Sequence, residues 1–192
     1  MQLPGTGGAI VWGDPVGIAA QPAVAAVAVT VAVRRLLHGD AADYRDLRLD
    51  GLRRHPEAFG ASWDDEAGQP LDWFAARLLG NCVFGAWLPG GVLAGVAGLS
   101  VPAAAKLRYK GALWGMYVVP EARGTGMAAA LLRHVIGQAS VMVEEVLLTC
   151  TASNVAAENL YGRFGFEKYG VEPRAVKVGD CYHDVVLMRL RL

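Results

Sequence analysis

A run ending Tyr117-Val118-Val119-Pro120 leads into Arg123-Gly124-Thr125-Gly126-Met127-Ala128, and Leu131, Leu132, Val135 and Ile136 follow at helical spacing. Strand, glycine turn and helix start, in that order, suit an anion. The glycines withdraw side chains so that backbone N–H groups can close on a phosphate or pyrophosphate. The helix dipole adds favourable charge, and Arg123 can donate through two nitrogens. The same residues also fit a plain tight turn in a chain of 24 glycines. Farther on, Tyr161 sits beside Leu160 and Phe164 in a helix-like segment opened by Ser153-Asn154. A phenol is neutral at pH 7 and can donate a proton, so it suits a general acid; helix periodicity alone equally allows packing. Glu57, Asp65, Glu66 and His183 are the candidate bases, each also readable as a solvated charge or a strand histidine. His134 reads as a polar-face residue. Cys150 has no His/Asp constellation to lower its pKa, so a covalent acyl-cysteine is not expected.

These residues need elements to hold them. Asp40 stands at an N-cap position before a helix over about Ala41–Arg54, which His55-Pro56 ends. Glu57–Pro70 reads as an acidic loop whose Asp64, Asp65 and Glu66 would favour a cationic amine or simply form a solvated rim, and a short helix covers Leu71–Leu79. Cys82–Leu88 and Val92–Val101, joined by Pro89-Gly90-Gly91, form a hairpin, with Ala112–Val119 as its third strand. The glycine turn and its helix come next, then a strand over Glu145–Thr151, a helix over about Ala156–Phe164 closed by Gly165-Phe166, and a last strand over about Cys181–Leu190. A meander followed by strand–helix–strand–helix–strand predicts a mixed α/β sheet covered by helices.

The bulk properties exclude several classes. With 192 residues, 54% of them apolar and 19% charged, the chain can bury a core and is not intrinsically disordered. Lys plus Arg (18) equal Asp plus Glu (18), which argues against a nucleic-acid binder. Cys82, Cys150 and Cys181 lie far apart without metal-ligand spacing, so no metal is expected and a reduced, cytoplasmic chain is. Residues 1–33 hold one charge, Asp14. The greasy stretch within them lacks the basic start of a signal peptide, and Gln21-Pro22 interrupts it, so no membrane span is expected. Val27, Val29, Val31 and Val33 alternate with Ala28, Thr30 and Ala32, predicting a strand over about Val27–Leu37. Residues 1–24 are therefore read as a flexible Gly/Ala/Pro-rich extension and 25–192 as one domain.

Two cofactor chemistries share the glycine turn. As Gly124-x-Gly126-x-x-Ala129, with Glu144 or Glu145 about 20 residues on, it imitates a dinucleotide fingerprint, which ordinarily opens a fold instead of following a meander. As Arg123-x-x-Gly126-x-Ala128 it resembles the acyl-CoA pyrophosphate loop of the GNAT superfamily of N-acetyltransferases. Three further blocks settle the choice. Asn154, Ala157, Leu160-Tyr161 and Gly165-Phe166 resemble that superfamily's second block. Pro56-Glu57-Ala58-Phe59-Gly60-Ala61-Ser62 resembles its opening, and Glu172-Pro173-Arg174-Ala175 with Tyr182-His183-Asp184-Val185-Val186-Leu187-Met188 its ending. The resemblance spans about Val27–Leu192.

It implies a strongly twisted mixed sheet of about seven strands, with helices on both faces, splayed beside the Ala112–Val119 strand. There the backbone of Met116, Tyr117 and Val118 would bind the pantetheine arm of acetyl-CoA. Arg123, Gly124, Thr125, Gly126, Met127 and Ala128 would hold the pyrophosphate, Asn154 would contact the arm, and Arg163 would reach the nucleotide end. A neutral amine, on a small molecule or a peptide, would attack the thioester directly, a backbone N–H near Val118 would stabilise the oxyanion, and Tyr161 would protonate the thiolate. The fourth strand offers no carboxylate to act as base. That departure keeps an acyl-CoA-binding sensor as the alternative to an enzyme, and a homodimer stays open.

Overall fold

The computed structural model describes residues 31–192. The expected extension over 1–24 and the alternation from Val27 to Thr30 lie outside them. Seven strands form one sheet in the order β1-β2-β3-β4-β5-β7-β6. They are β1 (Ala32–Arg35), β2 (Cys82–Trp87), β3 (Leu93–Ser100), β4 (Lys110–Val118), β5 (Glu145–Thr151), β6 (Glu167–Val178) and β7 (Cys181–Arg191). Five helices accompany them: α1 (Ala41–Arg54), α2 (Trp63–Ala67), α3 (Leu71–Gly80), α4 (Met127–Ala139) and α5 (Val155–Arg163). Every neighbouring pair is antiparallel except β4–β5, which run parallel because α4 carries the chain across the sheet between them.

Apolar stripes place the helices. In α4, Leu131, Leu132 and Val135 are fully buried against Phe84, Leu99, Leu113 and Leu148 on one face of the sheet. On the other face Tyr44 and Leu47 of α1 and Phe74 and Leu78 of α3 close over Val83, Val96 and Tyr117. Each such side chain contributes roughly 1.5–3 kcal/mol by leaving water, so both faces are cores.

Three departures from the sequence reading have physical causes. Asp40 does not cap α1 with its side chain; its carboxylate accepts from the Leu37 amide (2.7 Å) and grips Arg34 (2.7 and 2.8 Å), closing the 3-10 turn His38–Asp40. Part of the loop over 57–70 is the helix α2, started by Ser62, whose hydroxyl accepts from the Asp65 amide while the Asp65 carboxylate accepts from the Ser62 amide. Strand β6, not placed individually from sequence, is an outer strand whose side chains are mostly exposed, five of them charged. Two register shifts break its pairing, one around Pro173-Arg174.

The feature that matters for function is the β4–β5 seam. Pairing there stops after Lys110, Gly111 and Ala112 opposite Glu145, Val146 and Leu147. Beyond that point β4 stays bonded to β3 and β5 to β7, so the sheet opens into a wedge.

Candidate active site

On its β3 side, β4 steps from Trp114 to Tyr117 while β3 advances only from Gly98 to Val96, a bulge centred on Gly115 and Met116. Gly115 has φ +62, a conformation that disfavours any Cβ-bearing residue. A bulge bends its strand, and this one lies where β4 has already parted from β5. Across the wedge, the 3-10 turn Pro56–Ala58 is tied to β5, the Thr151 hydroxyl donating to the Glu57 carbonyl at 2.7 Å.

The wedge holds a cavity of about 1110 Å³. Of the residues singled out from sequence, Met116, Tyr117, Val118, Arg123, Gly124, Gly126, Ala128, Asn154, Tyr161 and Arg163 line it. Thr125 and Met127 do not. The Thr125 hydroxyl donates to the Ala122 carbonyl (2.7 Å), and the Met127 side chain is buried in the core. Gly124 and Gly126 have φ +78 and +86, and a Cβ built on either would meet no atom within 4 Å, so the turn is an open cradle at the start of α4. The Asn154 side chain caps α5, accepting from the Ala157 amide at 3.1 Å. Arg123 is engaged elsewhere: Nε donates to the Val118 carbonyl (3.2 Å) and Nη2 lies 2.9 Å from His55 Nε2.

At the narrow end a second cavity of about 70 Å³ is shared by Trp114, Gly115, Met116, Cys150, Phe59 and Tyr161. The Tyr161 ring packs edge-on to Phe166, with its hydroxyl 3.5 Å from Met116 Sδ. Burial pushes its pKa well above the ordinary phenol range, so it is a neutral donor at any physiological pH. Burial likewise raises the Cys150 thiol, which therefore stays protonated and is no nucleophile. Tyr117 donates to Asp50 at 2.8 Å; burial and that carboxylate raise its pKa to about 12.

The base candidates separate. Glu57 lines the larger cavity, beside His55 Nδ1 at 3.6 Å. Asp65 caps α2, and His183 lies on β7 opposite Val176, lining neither cavity. Glu66 is buried between two arginines: Arg48 donates through Nε and Nη2 (both 2.9 Å) and Arg77 through Nη1 (2.9 Å). Burial alone would raise its pKa; the two guanidinium groups reverse that and hold it low. Glu66 is therefore not part of an anionic rim, and the exposed Asp64 and Asp65 line neither cavity. His134 keeps to its own helix, Nδ1 lying 2.9 Å from the Ala130 carbonyl. His55 and Phe59 line the wedge and were not singled out beforehand; only the fold brings the end of α1 over β4.

Among the described residues no group of three or more His, Cys, Asp or Glu side chains is placed to hold a metal, and no helix is long and apolar enough to cross a membrane.

The model of the acetyltransferase (GNAT) family matches residues 47–166. The acetyltransferase of GNAT family from Streptococcus pneumoniae superposes with a TM-score of 0.74 at 22% identity, over 84% of this chain and 99% of that one. A putative acetyltransferase from Salmonella typhimurium, solved with its cofactor acetyl-CoA, gives a TM-score of 0.70 at 23% identity, over 84% and 93%. A ribosomal-protein-alanine N-acetyltransferase from Brucella melitensis gives 0.71 at 23%, over 84% and 99%. At these identities the likeness is one of fold, and it includes the seven-stranded mixed sheet with helices on both faces.

Proposed function

The chain belongs to the acetyltransferase (GNAT) family, and from that premise we propose that it transfers an acetyl group from acetyl-CoA to a primary amine by direct attack in a ternary complex. The observation that carries this is the Tyr161 hydroxyl, buried and neutral at the point where β4 and β5 part. A proton donor there serves a departing thiolate and has, among the described residues, no hydrogen-bond partner beyond a thioether, which is a weak acceptor. The residues fit the co-substrate. The cradle at Gly124 and Gly126 leaves open the space that a Cβ would fill, and backbone N–H groups at the start of α4 suit a pyrophosphate. On β4 the groups facing the wedge beyond Ala112 have no strand opposite them, which suits an extended, amide-bearing arm. Arg123 and Arg163 supply positive charge on the cradle side. The amine must arrive neutral, and among the described residues Glu57 is the one carboxylate lining either cavity, so it is the residue assigned to accept the proton.

The second reading, a sensor that binds acyl-CoA without turnover, is favoured by the lack of any carboxylate on β4. One experiment separates the two. Acetyl-CoA and CoA should raise the melting temperature while NAD does not, because selective binding to the native state stabilises it. Thiol release with an amine panel should then be catalytic. Stabilisation by CoA without thiol release from any amine would select the sensor, and no stabilisation by CoA would refute both.

A further inference from the structure

His55 follows the last residue of α1, and its backbone is fixed on both sides. Its amide donates to the Gly51 carbonyl (3.0 Å) and its carbonyl accepts from the Ala58 amide (3.0 Å). The ring tilts against Tyr117, centroids 6.1 Å apart, and lines the larger cavity together with Glu57 and Arg123. Its two nitrogens face opposite charges. Nε2 lies 2.9 Å from Arg123 Nη2, and Nδ1 lies 3.6 Å from Glu57 Oε1.

The partners fix where the ring carries its hydrogen. A guanidinium can only donate, so Nε2 must accept and is bare. A neutral imidazole then holds its hydrogen on Nδ1, the nitrogen that faces the carboxylate. At 3.6 Å that contact is longer than a hydrogen bond, and catalytic contacts of this kind tighten when substrate binds. Glu57 needs such a partner. Its carbonyl is tied to the Thr151 hydroxyl, but its side chain is 35% exposed. Among the described residues no other side chain lies within hydrogen-bond or ion-pair distance of its carboxylate. Confining a glutamate side chain to one rotamer costs up to roughly 1.5–2 kcal/mol, so an unguided carboxylate would spend much of its time away from the amine.

We propose that His55 is a positioning residue: Arg123 sets its tautomer, and its Nδ1–H holds the Glu57 carboxylate turned into the wedge, where it takes the proton of the amine. The role rests on the acetyltransferase reading and on Glu57 as base. Two measurements test it on the full chain. The first is thiol release from acetyl-CoA with phenethylamine, spermidine, leucine and a peptide with an N-terminal alanine. The second is the nitrogen-15 NMR spectrum of the imidazole rings, which reports the tautomer without any amine.

His55→Gln keeps an acceptor for Arg123 and drops the donor to Glu57. It should lower kcat about 10- to 100-fold, the range of a hydrogen bond to a charged group, with KM for acetyl-CoA and stabilisation by CoA unchanged. His55→Asn, whose amide nitrogen takes the place of Nδ1, should recover part of the loss. In a Glu57→Gln background His55→Gln should cost nothing further, since the two act as one unit. The wild-type spectrum should show His55 with its hydrogen on Nδ1. Should His55→Gln fail to fold, His55→Asn and that spectrum decide. Wild-type kcat in His55→Gln, a full loss added on top of Glu57→Gln, or a hydrogen on Nε2 overturns the role of His55 and leaves acetyl transfer standing. Unchanged kcat in Glu57→Gln overturns the base and its positioning together, again with transfer intact. No thiol release by the wild type from any of the four amines overturns transfer and the positioning role with it.

Discussion

Replacing Tyr161 by Phe removes one oxygen from a side chain that is 7% exposed. Among the described residues that oxygen has one hydrogen-bond partner, the Met116 sulfur at 3.5 Å. A hydrogen bond to a thioether contributes at most about 0.5–1.5 kcal/mol net, and deleting a poorly satisfied buried hydroxyl recovers part of that. The ring contact with Phe166, centroids 5.9 Å apart, is untouched. Stability should therefore change by less than about 1 kcal/mol, a shift of no more than roughly 2–4 °C in melting temperature for a chain of this size. Turnover is another matter. A positioned general acid is worth about 10²–10⁴ in rate, or about 2.7–5.4 kcal/mol of barrier. The assay is thiol release at saturating acetyl-CoA, with melting curves run in parallel with and without CoA. The sign of the pH effect follows from the raised pKa: the acid form persists below the folded pKa. The wild-type rate should then show no alkaline loss from this group through pH about 10, where an ordinary phenol titrates. A folded Tyr161→Phe variant with wild-type turnover would refute the assignment, and a drop of several kcal/mol in stability would show that the hydroxyl is structural.

Gly126→Val places a β-branched residue at φ +86, which costs about 1–3 kcal/mol in backbone strain; the domain should still fold, a few degrees less stable, and lose its stabilisation by CoA in a thermal-shift assay. Glu66→Gln leaves Arg48 buried and uncompensated and should cost about 3–5 kcal/mol in urea unfolding at pH 7. Because the folded pKa of Glu66 lies below its ordinary value, the wild-type advantage is fully present above pH about 4.3 and fades as pH falls through the folded pKa. A pH-independent difference between the two proteins would contradict that account.

Strong periodicity made much of this molecule legible. The ends of α1 and β5 read from sequence coincide with those in the structure, because alternation or a helical stripe ran unbroken to a Pro or a polar turn. The glycine cradle and the Tyr161 helix were legible for the same reason. Where signals were local and polar, the reading failed. Asp40 looks like a cap for the helix after it but serves the turn before it, since Arg34 stands within reach. Strand β6 alternates Tyr169, Val171, Pro173 and Ala175 with other residues, but Gly170 and Pro173 and two register shifts break the signal of an edge strand with one neighbour. Gly115 carried a usable sign, a glycine inside a strand pattern, which often marks a bulge. The pairing of Arg48 with Glu66 and Arg77 carried none, because three helices must pack before three charges this far apart in sequence share a site.

Splitting a sheet leaves two unsatisfied borders inside one molecule. A border of free N–H and C=O groups is ordinarily where chains stick to one another, and most proteins hide or blunt it. Here the wedge turns that adhesiveness inward. It narrows to the three rungs at Lys110–Ala112, and the turn Pro56–Ala58, tied to β5 by the Thr151–Glu57 bond, stands beside it. For the proposed transfer the entrant is a thin, flexible thread with amides of its own, and the lining residues answer a separate question, which amine is presented to the thread's end.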